Sequence, residues 1–386
     1  MTVSSLARDG LHQIGAREIE AELRARVDSL VPELLSDARP DGGFWCAGSV
    51  AGEAGQSLKV NRRGPRQGLW TDFSAAEGSD SYSGDMLQLV AAVKFGGWSI
   101  EANRGPAIGW AKSWLGWDNL SPDRFKTIRR EAAQKRQAQA EAGAREQEKR
   151  RESAGQLWHS SFSLPGTPAL AYLLGRVPGL ERLGRLPASL RFHPEVWCPV
   201  RRAKHPAMVA CIIALSGELL AVHRTYLDLS AGKGGPVVVW KLPPDAKGRV
   251  KSHKQTLGQY QGGCIPLWKG ACGRTLREIA AGTPVDASEG VEDGLTIALA
   301  CPDKRIVAGV ALANLGGLDL PPQAGPFSFI GQNDENPKTI AALERAVARQ
   351  QERAAQDGSN RAVRTYYPDP AYKDFNDQLL GKRKAA

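Results

Sequence analysis

Between residues 283 and 380 short apolar runs alternate with helical stretches, and no other feature of this 386-residue chain restricts its fold as tightly. Residues 285–287, 306–308, 327–330 and 362–366 read as strands, and residues 293–300 and 338–356 as helices, the second with Pro337 just inside its start. Strands separated by helices cannot be joined as hairpins, so the sheet must be mainly parallel, with its ligand site beyond the carboxyl ends of the strands.

Carboxylates stand where that site is expected. Glu289 follows the first strand, Asp334 and Glu335 the third, and Asp369, Asp374 and Asp377 the last. Like charges drawn to one sheet edge repel one another unless a cation is present. Clustered hard oxygens suit magnesium (or manganese), which keeps waters and is completed by substrate phosphates. Such ions serve phosphoryl transfer by activating the attacking hydroxyl and stabilising the leaving pyrophosphate. Gly290, directly after Glu289, permits close backbone approach.

The rest of the composition sets bounds. A net charge of +10 and a pI near 9.4 suit either a polyanionic partner or plain solubility. Six cysteines form no C-x-x-C pair, which argues against a zinc ribbon or a disulfide framework and for a reducing cytoplasm. The N-terminus lacks the apolar core of a secretory signal, and the longest apolar run, residues 207–215, is too short to span a bilayer, so no membrane partner is expected. There is no G-x-x-x-x-G-K-[ST] loop and hence no built-in helicase motor.

Upstream, residues 16–35 read as one amphipathic helix, followed by aromatic strands around Trp45, Lys59 and Trp70, and by a helix opening at Gly84-Asp85-Met86-Leu87. The order of these elements resembles the N-terminal zinc-ribbon module of bacterial and phage primases, with Cys46 near the first knuckle. The other three ligands are missing, so the resemblance implies a degenerate module that holds no zinc and relies on Trp45, Trp70 and Phe73 for its core. The run Lys59, Arg62, Arg63, Arg66 reads either as a track for a phosphate backbone or as a solvated turn.

Residues 121–156 are rich in Ala, Arg, Gln, Glu and Lys and read as a charged helical linker starting at Ser121-Pro122. Beyond it, two strands joined by Ser216-Gly217-Glu218 form a hairpin carrying His223, Arg224 and Thr225, followed by Lys233 in a Gly-rich loop and by Lys254. Arg224, Lys233 and Lys254 are the expected phosphate-orienting cations. His193-Pro194 and His205-Pro206 read as loop punctuation, and with Cys198 they match no metal-site spacing.

Two motifs in the last hundred residues extend the resemblance. Glu289-Gly290-Val291-Glu292-Asp293 fits the Glu-Gly-x-x-Asp motif of the Toprim domain shared by topoisomerases, primases and certain nucleases. Lys373-Asp374-Phe375-Asn376-Asp377 fits the Lys-Asp-x-Asn-Asp/Glu segment of phage and plasmid primases. The family's middle motif is Asp-x-Asp, but this chain places Gln332 where the first Asp should stand, two residues before Asp334.

The resulting expectation is an α/β and α+β multidomain protein. It has an N-terminal helix and ribbon-like module (1–120), a charged linker (121–156), an antiparallel basic domain (157–282) and a Toprim-like, mainly parallel sheet flanked by helices (283–381). The resemblance implies a cytoplasmic, primase-like nucleotidyltransferase of a phage, plasmid or prophage. It would bind single-stranded DNA, make primers from nucleoside triphosphates and work with a separate replicative helicase. Glu289 would be catalytic; Asp334, Asp374, Asp377 and Gln332 would hold magnesium or manganese; Arg224, Lys233, Lys254, Arg62 and Arg63 would contact nucleotide or DNA. The alternatives are a catalytically impaired Toprim DNA-binding accessory protein, which Gln332 favours, and a Toprim nuclease.

Overall fold

The computed structural model describes residues 15–76, 78–117, 122–230, 237–239 and 254–384, and the chain divides into two compact units, residues 1–145 and 146–386. Lys233 and the loop around it lie outside the described residues.

The first unit opens with α1 (Ala16–Ala25) and α2 (Val27–Leu34). Strands β1 (Arg39–Asp41), β2 (Phe44–Ala47), β3 (Leu58–Asn61), β4 (Trp70–Asp72) and β5 (Ser83–Gly84) follow, then α3 (Met86–Phe95) and α4 (Glu101–Trp114). The strands pair in chain order, each antiparallel to the next, as short turns require. Helix α3 begins with a capping box in which Asp85 and Gln88 exchange bonds of 2.9 Å. The single helix expected over residues 16–35 is instead two. Its apolar stripe is continuous and buried from Ile19 to Leu34, but Arg26 leaves helical geometry (φ −105°, ψ 26°), and Pro32 removes one backbone donor from α2. Phe73 also departs from the expected core. Trp70 is fully buried, whereas Phe73 is 63% exposed beneath the Lys59 ammonium and takes no part in the core.

Helix α5 (Pro122–His159) starts at the expected proline. Its last turns belong to the second unit, where Ala154 is buried against Val196, Val209 and Tyr226.

The second unit contains β6 (Phe162–Ser163), α6 (Pro168–Arg176), β7 (Leu190–Cys198), β8 (Ala203–Ile213), β9 (Leu219–Asp228), β10 (Val238–Val239) and β11 (Lys254–Gly258). These strands form an antiparallel sheet in the order β10-β9-β8-β7-β6, with β11 also paired to β9. His193-Pro194 and His205-Pro206 do not punctuate loops. They lie inside β7 and β8, where the register shifts between His193 and Val196 and a proline is tolerated at the bulge.

The chain continues through β12 (Ile265–Trp268), β13 (Val285–Ser288), α7 (Val291–Ala300), β14 (Arg305–Ala308), α8 (Leu312–Gly316), β15 (Phe327–Ile330), α9 (Pro337–Gln356), β16 (Val363–Tyr366) and α10 (Phe375–Leu379). Here the sheet order is β12-β14-β13-β15-β16; the β13–β14, β13–β15 and β15–β16 pairs are parallel, and β12 runs antiparallel along β14. The chain is therefore a mixed α/β protein with several sheets. One core joins Tyr172, Phe192 and Met208 to Leu267, Val291 and Leu295, so residues on both sides of position 282 share it. Gly294 lets α7 lie flat on the sheet: a Cβ there would stand 2.4 Å from Leu267 Cδ1 and 2.6 Å from Ser288 Oγ. Among the described residues no helix is long and apolar enough to cross a membrane.

Candidate functional site

The register fixes where the acids emerge. Ser288 pairs with both Ala308 and Ile330, and Ile330 pairs with Tyr366, so β13 to β16 end at one edge of the sheet. Glu289 leaves the first of them, and Gly331-Gln332 the third. Beyond β16, Asn333 ties the returning chain back by donating to the carbonyls of Pro368, Asp369 and Tyr372, which brings Asp374 to the same edge. These residues meet in a cleft of about 1170 Å³ lined by Glu289, Glu292, Asp293, Gln332, Asp374 and Lys254, among others.

Two carboxylates from the first turn of α7 are buried in opposite electrostatic situations. Lys254 Nζ lies 2.9 Å from each oxygen of Glu292, and Tyr172 Oη donates to Glu292 Oε1 at 2.5 Å. Burial pushes the Glu292 carboxyl up, but the ammonium and the phenol outweigh it and hold it at about 2. Among the described residues no cation pairs directly with Asp293, and Lys254 lowers its pKa only from a distance. Burial and the neighbouring charge of Asp374 push it up to about 7, against the backbone N–H of Asn376, which donates to Oδ1 at 3.0 Å. Glu289 is also shifted upward, by burial and by Asp334, while Lys254 and Lys373 pull it down.

Helix α10 is clamped over this site by Asn376, whose Nδ2 donates to the carbonyl of Arg176 at 2.7 Å and to Thr296 Oγ1 at 3.1 Å. Its Oδ1 is buried and has no partner among the described residues, and neither has Arg176 Nε. Both residues line the cleft. A Cβ on Gly290 would meet nothing closer than Glu292 Oε2 at 3.4 Å and its φ is −100°, so packing does not demand glycine there; the space beside it opens into the cleft. Val310, a β-branched residue held at φ 71°, donates to the carbonyl of Glu289 at 3.0 Å and lines the same cleft. Such strain recurs at functional sites.

The donor set meets one requirement of a divalent cation. Among the described residues no three of His, Cys, Asp and Glu stand close enough to hold an ion by themselves. Magnesium needs fewer, being held by one or two carboxylates together with waters and substrate phosphates. The mutually repelling pair Asp293 and Asp374, beside the unpartnered oxygen of Asn376, fits that smaller requirement.

Residues 148–267 match a family described as Domain of unknown function (DUF7146). No curated protein matches the chain. The primase fragment of the bacteriophage T7 primase-helicase protein is similar at 15% identity and a TM-score of 0.29, over 53% of this chain and 66% of that one, a little under two thirds of the fragment. The Aquifex aeolicus primase, with zinc-binding and RNA polymerase domains, is similar at 13% identity and a TM-score of 0.36, over 94% of this chain and 82% of that one. A DNA primase domain from Pseudomonas aeruginosa reaches 13% and 0.36, over 61% of this chain and 75% of that one.

Of the residues expected from sequence, Glu289, Gln332, Asp374 and Lys254 come together in the cleft. Asp334 lines a smaller adjoining cavity with Glu289 and Gln332, one of its oxygens engaged by the backbone N–H of Asn336. Asp377 is not a lining residue of either; its backbone N–H donates to Asp374 Oδ1 at 2.7 Å, which caps α10. Arg224 lies elsewhere. It is buried beside Tyr226 and donates to the carbonyl of Trp197, whereas its strand neighbour His223 faces the cleft. In the first unit Arg62 pairs with Asp28 at 2.6 Å over the Trp45 ring, and Arg63 is exposed.

Asp293 was the omission. It stands inside the Glu-Gly-x-x-Asp motif, and its place at the third position of a helix that begins at the strand end was the signal available. Tyr172 and Arg176 carried no comparable signal, because only the tertiary fold brings α6 to the cleft.

Proposed function

We propose that the chain is a primase-like nucleotidyltransferase that binds single-stranded DNA and joins nucleoside triphosphates into short primers. The observation that carries this reading is one cleft at the strand ends in which the carboxylates of Glu289, Asp293 and Asp374 face a space also lined by Lys254 and Arg176. That combination suits a substrate with a nucleophilic hydroxyl at one end and a polyphosphate at the other.

Each residue has a task that follows from its surroundings. Glu289, whose burial raises its proton affinity, would accept the proton of the attacking hydroxyl. The guanidinium of Arg176 would take up triphosphate oxygens. Lys254, paired with Glu292, would fix the first turn of α7 and lend positive charge to the cleft. Asp293 and Asp374 would hold magnesium or manganese, which when bound would supply charge neutralisation at the reacting phosphorus and activation of the hydroxyl.

The first unit would serve as a zinc-free, ribbon-like template-binding module, with Arg63, Arg66 and the exposed Phe73 offering cations and a stacking face. The whole would act in the cytoplasm, in replication of a phage, plasmid or prophage, beside a separate helicase. The test is incubation of the full chain with circular single-stranded DNA, labelled nucleoside triphosphates and magnesium, with products resolved by length. Short labelled oligonucleotides that depend on both template and metal are expected; their absence across templates and metals would refute the reading.

A second reading, a DNA-binding accessory protein without catalysis, is favoured by Gln332, whose Nε2 donates to Asp293 Oδ2 at 3.3 Å and satisfies that carboxyl without a cation. It requires salt-sensitive DNA binding that magnesium leaves unchanged.

A further inference from the structure

The second unit contains another cavity, of about 600 Å³, which shares no lining residue with the acidic cleft. It lies at the other end of the parallel strands: Arg305, at the start of β14, pairs with Val285, whereas Glu289 follows Ser288 and its partner Ala308. Its walls are largely apolar, with Ile213, Leu215, Leu267 and Leu276 among them. One flat wall is Trp268, over which the Arg185 guanidinium stacks at 4.3 Å from the ring centroid.

Arg305 lines this pocket and is 2% exposed. Its Nη2 donates to the carbonyl of Arg274 and, at 3.1 Å, to Cys272 Sγ, a weak acceptor. Its Nε is buried without a partner, and no carboxylate pairs with it among the described residues. A buried guanidinium with no counter-charge is strongly unfavourable. The charges around it do not help: Arg185, Lys269 and Arg277 line the same pocket, and the one acid there, Glu278, already accepts from Thr275 Oγ1 at 2.7 Å.

We propose that this pocket binds a small organic anion with an apolar body, its carboxylate, sulfonate or phosphate lying against Arg305 and Arg277 and its body against Trp268 and the aliphatic wall. The anion supplies the missing counter-charge, and the apolar wall supplies the affinity that a bare inorganic ion would lack. The size matches pockets that enclose small ligands.

The test uses the full chain with two fluorescent probes of closely similar aromatic body, anionic 8-anilinonaphthalene-1-sulfonate and neutral N-phenyl-1-naphthylamine. The sulfonate is expected to bind at one saturable site. Arg277→Glu, at an exposed position, should weaken it about tenfold while leaving the neutral probe unchanged. Ala188→Trp, at the exposed mouth, should weaken both, and Arg305→Met should weaken the sulfonate at least as much as Arg277→Glu does. If Arg305→Met does not fold, as judged by its melting transition, the two exposed variants decide. Equal sulfonate affinity in the wild type, Arg277→Glu and Ala188→Trp would overturn the proposal. So would loss of sulfonate binding only in Arg176→Met, which would assign it to the acidic cleft.

Discussion

Lys254 Nζ sits 2.9 Å from both carboxylate oxygens of Glu292, joining β11 of the antiparallel sheet to α7 of the parallel one. The pair fastens together the two sheets whose residues form the cleft. Removing only the cation leaves a buried carboxylate that Tyr172 alone cannot compensate. Lys254→Met is therefore expected to lower stability by about 3 kcal/mol. Adding Glu292→Gln, which removes the charge and keeps an acceptor for Tyr172, should recover most of that loss in urea unfolding.

Gln332 Nε2 donates to Asp293 Oδ2 at 3.3 Å, so an acid in its place tests whether the cleft takes a cation. Gln332→Asp replaces a donor to Asp293 with a further negative charge, so in a chelator the variant should be less stable by about 1 to 2 kcal/mol. Magnesium should then raise its melting temperature more than it raises that of the wild type. Identical metal responses would separate Gln332 from any cation site.

The first unit rests on Trp70 and not on Phe73. Trp70→Ala should cost about 3 to 5 kcal/mol, because the indole is fully buried and its Nε1 donates to the carbonyl of Asp85 at 2.9 Å. Phe73→Ala should stay within about 0.5 kcal/mol of the wild type, as expected for an exposed side chain.

Cys272, which is exposed, should be a more reactive thiol than Cys211 or Cys264. What burial it has raises its pKa, but donation from Arg305 Nη2 outweighs this and holds the thiol below its ordinary value of 9.0. Burial pushes the Cys211 and Cys264 thiols up to about 12. Iodoacetamide at neutral pH followed by peptide mapping should label Cys272 before Cys211 and Cys264, and alkylation should persist to lower pH there than at those two positions.

The alternation of apolar runs with helices was enough to locate β13 to β16, because a strand–helix–strand connection leaves few geometries and each strand was bounded by glycine, proline or charge. Glu289, Gln332 and Asp374 were legible for the same reason, since residues directly beyond parallel strands share an edge. Other features depended on information that local patterns do not contain. The membership of β12 in the C-terminal sheet is set by pairing across forty residues of chain. Arg224 does not line the cleft because alternation on β9 puts it on the face opposite His223, and a strand buried on both faces gives no polar signal of which side faces the cleft. The prolines of β7 and β8 signalled breaks, yet a bulge accommodated one and the strand simply continued past the other.

The most direct test of the account is template-dependent primer synthesis by Glu289→Gln beside the wild type, with single-stranded DNA affinity and melting temperature measured in parallel. Product formation is expected to fall by at least about a hundredfold while affinity and melting temperature are unchanged. Full activity in Glu289→Gln would contradict it.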